Sequence, residues 1–342
     1  MSDKFFDYLT LAIAQNVSDL YLTGGQRVFF RIDGKMRPIN DEILNEDEVN
    51  SFLDKLIKES QKEILQSLGA VDFSYTYNNR RFRGNAYFQR EKIAIVLRLL
   101  SNNFFTVEEI GLSKVFPEIM KINYGLILVT GKVGSGKTTT IATFLESVNS
   151  SKGAHIITLE DPIEYIYEPK LSFISQREYG VDFFSFEEGL KHALREMPDV
   201  ILVGEIRDRA TMRTALMAAE TGILVLGTLH TKNAAETALR VEGMFAKEEA
   251  ESVRAEFSEA VSAIISQELI ESADGGRIPL TEVLLKTPAA KNLIRQGKYS
   301  QLSSIMLSGK NLGMETKEAA LNRLFKEGKI TKNIFEETKE GL

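Results

Sequence analysis

The rhythm of apolar and polar positions changes near residue 100. Within residues 3–15, Phe6, Leu9 and Ile13 recur at helical spacing, and SDLYLTGGQRVFFRIDGKMRPI then alternates apolar and polar residues around GG and DG turn signals. This predicts a helix followed by a small antiparallel sheet. A polar helical stretch from about Glu46 to Leu68 comes next, then VDFSYTY and RRFRGNAYFQR joined at Asn78 and Asn79, then KIAIVLRLL. Residues 1–100 therefore read as one α+β domain.

From Tyr124 the strands lose their alternation. GLILVT, AHIITLE, VILVG and ILVLGTLHT are continuous apolar runs separated by helical segments. Such strands are buried on both faces, which predicts a parallel sheet covered by helices in an α/β fold. The punctuated segment SNNFFTVEEIGLSKVFPEIM reads as a connector, with the linker at 101–112 and the α/β core at 113–288. A hairpin, QELIESADGGRIPLTEVLL, closes that core, and 289–342 is helix-like with breaks at Gly297, Gly309, Gly313 and Gly328.

Length supports the same division, since 342 residues exceed what one compact core usually accommodates. A net charge of -6 gives no basic excess for gripping a phosphate backbone, so nucleic acid is not the expected partner. The chain has no Cys, which excludes disulfides and thiolate zinc sites and points to a reducing cytoplasm. The opening MSDKFFDYLTLAIAQ does not read as a secretory signal, and no stretch approaches the roughly 18 to 20 apolar residues of a spanning helix. Any membrane would be reached through a partner.

The chemistry begins at GKVGSGKTTT, read from Gly131, between a strand and a helix. Gly131, Gly134 and Gly136 let backbone N–H groups approach phosphate oxygens, and the helix that follows presents its partial positive end to the same anion. Ser135, Lys137, Thr138 and Thr139 complete the phosphate-binding set, with Lys137 reaching the β- and γ-phosphates of ATP and Thr138 ligating Mg²⁺. The spacing is not that of a dinucleotide fold. A phosphate-loop hydrolase also needs a carboxylate at a neighbouring strand end for the magnesium shell, and VILVGEIRD supplies Glu205. A group to deprotonate water is available in TLEDPIEY, where Glu160, Asp161 and Glu164 lie on a strand-to-loop turn set by Pro162. His230, ending ILVLGTLHT, falls at the carboxyl edge of the same sheet. His155 and His192 have no partners at ligand spacing.

Taken in order, these segments resemble the PilT family, the retraction motors of type IV pili within the type II/IV secretion ATPases. GKVGSGKTTT resembles its Walker A loop, ITLEDPIEY its Asp box, ALREMPDVILVGEIRD its Walker B segment and AAETGILVLGTLHT its His box. The similarity extends through SDLYLTGGQRVFFRIDG, RFRGNAYFQR and VSAIISQELI, and so spans nearly the whole chain.

The resemblance implies a PAS-like N-terminal domain, a RecA-like ATPase core and a ring of six copies with ATP between subunits. It gives Glu205 the Walker B role, Glu164 that of general base and His230 a place in the His box. In a strand, Arg81 and Arg83 point to one face, and Arg98 on the next strand is placed to join them. In the family such arginines approach the nucleotide. The implied activity is ATP hydrolysis coupled to pilus retraction and twitching motility. Its implied setting is cytoplasmic, against an inner-membrane platform protein and alongside a paralogous motor ATPase. The alternatives are a pilus assembly or type II secretion ATPase, an accessory motor paralogue of weak activity, and a DNA translocase, which the acidic charge disfavours. The sequence departs from the family at Lys132 and Val133 within the phosphate loop, at Met197, at Ile223, and in PAAKNLIRQGK, which matches the AIRNLIR-type motif in part.

Overall fold

A computed structural model describes residues 4–32, 34–100 and 103–342. The chain divides into two compact units, Met1–Asn103 with Pro162–Ile166, and Phe104–Asp161 with Tyr167–Leu342.

The first unit opens with helix α1 (Lys4–Ala14) and strands β1 (Asp19–Thr23), β2 (Arg27–Ile32) and β3 (Lys35–Ile43). Helices α2 (Glu46–Leu56) and α3 (Glu59–Leu68) follow, then β4 (Ala70–Tyr77), β5 (Arg80–Gln89) and β6 (Lys92–Leu99). The six strands form one antiparallel sheet in the order β3-β2-β1-β6-β5-β4. One face carries Leu20, Leu22, Phe30, Phe82, Ile95 and Leu97, packed on Phe5 and Leu9 of α1, Phe52 of α2 and Leu65 of α3. Fully burying such a side chain contributes about 1.5–3 kcal/mol, which is why the alternation written in the sequence fixes which face turns inward.

Asn78 and Asn79 adopt φ of 48° and 57°, the left-handed pair that a two-residue hairpin turn requires, with Tyr77 opposite Arg80. The helical stretch expected as one piece from Glu46 to Leu68 is two helices. Ile57 is buried and extended at the break, and Lys58 caps α3 with its backbone N–H donating to Gln61 Oε1 at 3.0 Å. Turning Ile57 into the core interrupts the helix.

The second unit contains α4 (Phe116–Met120), β7 (Gly125–Thr130), α5 (Lys137–Ser151), β8 (His155–Glu160), β9 (Phe173–Glu178), α6 (Phe186–Ala193), β10 (Val200–Val203), α7 (Arg209–Glu220) and β11 (Leu224–Leu229). It continues through α8 (Ala234–Gly243), α9 (Ala250–Ala260), β12 (Val261–Glu271) and β13 (Arg277–Leu285). Helices α10 (Pro288–Arg295), α11 (Leu302–Ser308), α12 (Lys317–Lys326) and α13 (Lys332–Gly341) close the chain. The sheet runs β13-β12-β7-β11-β10-β8-β9, parallel at every pairing except β12 with β13. Every residue of β7, β10 and β11 is buried, as their unbroken apolar runs predict. The α/β expectation therefore holds, with β9 and the first half of β12 added. None of the described helices is long and apolar enough to cross a membrane.

Candidate nucleotide-binding site

The pairing of β7 with β11 places Thr130 beside Leu229, so the phosphate loop and His230 leave the sheet together at its carboxyl edge. β10 ends next to them, with Val203 opposite Gly227, and Glu205 follows after Gly204. Open α/β sheets bind ligands along this edge. The turn that carries Glu205 is held from both sides: Gly204 N–H donates to the Leu159 carbonyl at 2.8 Å, Ile206 N–H donates to the Thr228 carbonyl at 3.1 Å, and Thr228 Oγ1 donates to the Gly204 carbonyl.

The loop itself needs glycine at both ends. Gly131 has φ of 149°, and a Cβ there would collide with the Gln267 carbonyl oxygen and Ser135 Oγ. Gly136 has φ of 86° and would set a Cβ 3.0 Å from Gln267 Nε2. Gly134, φ 77°, is exposed at the crest. The neighbouring helices α6, α7 and α8 are capped by the side chains of Ser185, Asp208 and Asn233, but α5 begins on Gly136 with no side-chain cap. Its first-turn N–H groups lack the acceptor that a cap would give them and remain for an anion.

Lys137 Nζ donates to the carbonyl oxygens of Gly131 at 2.8 Å and Lys132 at 3.0 Å, and lies 3.5 Å from His230 Nδ1. His230 Nε2 is 3.1 Å from Glu205 Oε1, and Glu205 Oε2 accepts from Arg207 at 2.9 Å. Arg207 also stands 4.0 Å from Asp161. His230 thus links Glu205, through Nε2, to Lys137, through Nδ1. Burial pushes the Lys137 ammonium below its ordinary range, opposed by the charge of Glu205. Burial pushes the Glu205 carboxyl up, but the Arg207 hydrogen bond and the charges of Arg207, His230 and Lys137 outweigh it, leaving Glu205 below the ordinary carboxylate range.

β12 supports the loop from beneath. Ser266 Oγ and Thr130 Oγ1 share a hydrogen bond of 2.8 Å. Gln267 Nε2 donates to the Ser135 carbonyl at 2.7 Å, and its Oε1 accepts from Thr140 Oγ1 at 2.8 Å. The Ser135 hydroxyl is buried and, among the described residues, has no hydrogen-bond partner.

The Asp-box acids separate. Glu160 is buried and accepts from Thr158 Oγ1 at 2.6 Å and Gln176 Nε2 at 3.2 Å, while Asp161 is exposed near Arg207. Glu164 belongs to Pro162–Ile166, the short segment that clusters with the first unit. In that unit Arg81 donates to the Ile163 carbonyl at 3.4 Å, to Thr76 Oγ1 at 2.9 Å and to Ser74 Oγ. Arg83 stands directly opposite Arg98, and Arg98 Nε donates to the buried Asp19 at 2.8 Å.

The residues fit a nucleotide phosphate and its magnesium. The uncapped first turn of α5 and the orphaned Ser135 hydroxyl supply donors without acceptors. Glu205 and the Thr138 hydroxyl are hard oxygen donors suited to Mg²⁺. Among the described residues no cluster of three or more His, Cys, Asp or Glu could hold a metal.

The sequence profile of the Type II/IV secretion system protein family matches residues 6–320. The chain belongs to that family. Among its relatives, the type IV pilus retraction ATPase PilT of Pseudomonas aeruginosa is 41% identical over 95% of this chain and 95% of its own. The type IV pilus ATPase PilU of the same organism is 35% identical, over 96% of this chain and 86% of its own. A crystal structure of the pilus retraction motor PilT with bound ADP superposes with a TM-score of 0.89 at 41% identity, covering 97% of this chain and 95% of that one.

Within the secretion-system family frame, the structure brings together the phosphate loop, Glu205 and His230. Two residues that the reading of motifs did not single out also belong here. Arg207 was visible two positions after Glu205, where its charge at a carboxylate is a signal that sequence carries. Gln267 lies in VSAIISQELI, and only the parallel pairing of β12 with β7 reveals its place.

Proposed function

We propose that this chain is the ATPase of a type IV pilus retraction motor. The observation that carries the reading is the meeting of Lys137, His230 and Glu205 on an uncapped phosphate loop, in a chain similar to PilT along nearly its whole length. ATP is the substrate. Its phosphates lie against the N–H groups of the loop, with Lys137 on the β- and γ-oxygens in place of the Gly131 and Lys132 carbonyls. Thr138 and Glu205 would hold Mg²⁺, whose charge would offset that of the phosphates. Glu164 takes the proton of the attacking water, and His230, fixed by Glu205, faces the γ-phosphate end of the site. Arg81, Arg83 and Arg98 answer the γ-phosphate and pass its presence or loss to the first unit. Six copies form a ring. Each hydrolysis turns one first unit against its neighbour, and the ring acts on an inner-membrane platform protein to withdraw pilin.

The test is ATP turnover by the purified chain and by Lys137→Ala and Glu164→Ala, with twitching and surface piliation scored in a strain lacking the gene. Excess surface pili without motility, and turnover lost in both variants, are expected. Loss of pili would assign assembly instead, and full turnover in Glu164→Ala would remove the base from its role.

A further inference from the structure

We infer that Gln267 is the positioning residue that shapes the phosphate loop, and that it acts on nucleotide affinity more than on the chemical step. The inference rests on reading the loop as a nucleotide site. Gln267 is buried, at 3% exposure, on the strand that pairs with β7 directly below the loop. Its amide is used at both ends. Nε2 donates to the Ser135 carbonyl at 2.7 Å, and Oε1 accepts from Thr140 Oγ1 at 2.8 Å. One planar group thus ties the crest of the loop, at Ser135, to the first turn of α5, at Thr140. The main chain of the same residue abuts Gly131, and its Nε2 is the atom that a side chain at position 136 would meet first.

Consequences follow for the ligand. Fixing the Ser135 carbonyl on Gln267 turns the N–H of the same peptide, that of Gly136, the opposite way. The Ser135 hydroxyl is left buried without a partner among the described residues. Donors held before the ligand arrives need not be ordered at binding, so preorganisation appears as affinity. Lys137 and Glu205 make none of these contacts, which leaves the groups near the reacting phosphate untouched. Gln267 also continues into Glu268, whose carboxylate holds Lys317 of α12 at 3.0 Å, so the clamp sits where the C-terminal hairpin meets the loop.

The test uses the full-length chain and fluorescent mant-ADP. Gln267→Leu keeps the size and removes both amide contacts, leaving the Ser135 carbonyl and the Thr140 hydroxyl unpaired. A loop no longer held in its binding shape by these two bonds should bind about tenfold more weakly. KM for ATP should rise by a similar factor while kcat falls less than about threefold, and the ligand-free melting temperature should fall by a few degrees, since the same two groups are unpaired without ligand. Thr140→Val should weaken mant-ADP about fivefold, Thr140→Ser should restore it, and the double variant should bind no worse than Gln267→Leu alone. Affinity in Gln267→Leu equal to that of the natural chain, additive losses in the double variant, or an effect confined to melting temperature would overturn the proposal. Should Gln267→Leu fail to fold, unchanged affinity in Thr140→Val overturns it equally. A natural chain that does not bind mant-ADP at all removes the nucleotide reading and this proposal together.

Discussion

Replacing Lys137 by Met separates two effects that the site joins in one side chain. The ammonium gains two hydrogen bonds, to the Gly131 and Lys132 carbonyls, and loses hydration through burial. Burial wins, since the group lies below its ordinary 10.5. The charged form therefore costs the ligand-free fold more than it costs the unfolded chain, and a bound anion would offset that cost. Met preserves most of the stem and removes that cost along with the two bonds. The expected change in ligand-free stability is within about 1 kcal/mol, or about 2–4 °C in melting temperature for a unit of this size. The nucleotide meets the opposite result. Losing one or two charge-assisted bonds of about 1.5–3 kcal/mol each weakens binding on the order of 10²- to 10³-fold.

Two assays read these effects: thermal melting without ligand, and mant-ADP titration. The pH dependence gives a further check on sign. Between the depressed folded value and 10.5, the unfolded chain holds a proton that the folded chain has shed. The stability of the natural chain relative to Lys137→Met must then rise with pH in that window. A ligand-free Lys137→Met that melts 5 °C or more (about 1.5 kcal/mol) below the natural chain would refute the reasoning, because the ammonium would then be a net support of the fold.

Two other substitutions test neighbouring parts of the site. Glu205 is held below the ordinary carboxylate range, so its contribution is present above its ordinary 4.5 and is lost as pH falls through the folded value. Glu205→Gln should flatten that acid loss in pH-dependent denaturation, bind ADP without magnesium nearly as before, and reduce magnesium-dependent turnover on the order of 10²-fold. Gly131→Ala forces a side chain onto the Gln267 carbonyl at a φ of 149°, and should cost about 2–4 kcal/mol in urea denaturation as well as nucleotide binding.

What the sequence disclosed depended on whether a signal was local. The phosphate loop, the buried strands and the Asn78-Asn79 turn were legible because glycine spacing, unbroken apolar runs and left-handed Asn residues each act through their own backbone. Arg90 and Glu91 adopt the same left-handed pair, φ 48° and 65°, between β5 and β6. Nothing in those residue types favours it, since the paired strands impose the turn. β9 was hidden because its residues, FISQRE, are only partly buried at the sheet edge. Gln267 was hidden for the opposite reason: it is a polar residue in an apolar strand, 132 positions from the Ser135 carbonyl that it binds. Met197, one of the departures from the family pattern, sits at φ 56° with 85% exposure, a conformation uncommon for a residue other than Gly, Asn or Asp. That departure leaves a mark on the backbone, whereas Lys132 and Val133 lie exposed in the loop and Gly131, Gly136 and Lys137 keep their geometry around them.

The three arginines that the resemblance carries to the nucleotide are not equivalent within their own unit. Register across the sheet sets Arg31, Asp19, Arg98 and Arg83 in one row. Asp19 is buried, its side chain 4% exposed, and takes Arg98 at 2.8 Å and Arg31 at 3.4 Å. A desolvated carboxylate is costly to leave unpaired, so Arg98 leaves it for another anion only if Arg31 alone can neutralise it. Arg81 is shared among two hydroxyls and the Ile163 carbonyl. Arg83 is exposed and faces Arg98 across the strands, where like charges repel. The row holds three guanidiniums against one carboxylate, and Arg83 stands farthest from that carboxylate. A phosphate reaching this row would therefore relieve Arg83 first, with Asp19 keeping Arg98 in place as the neighbouring charge.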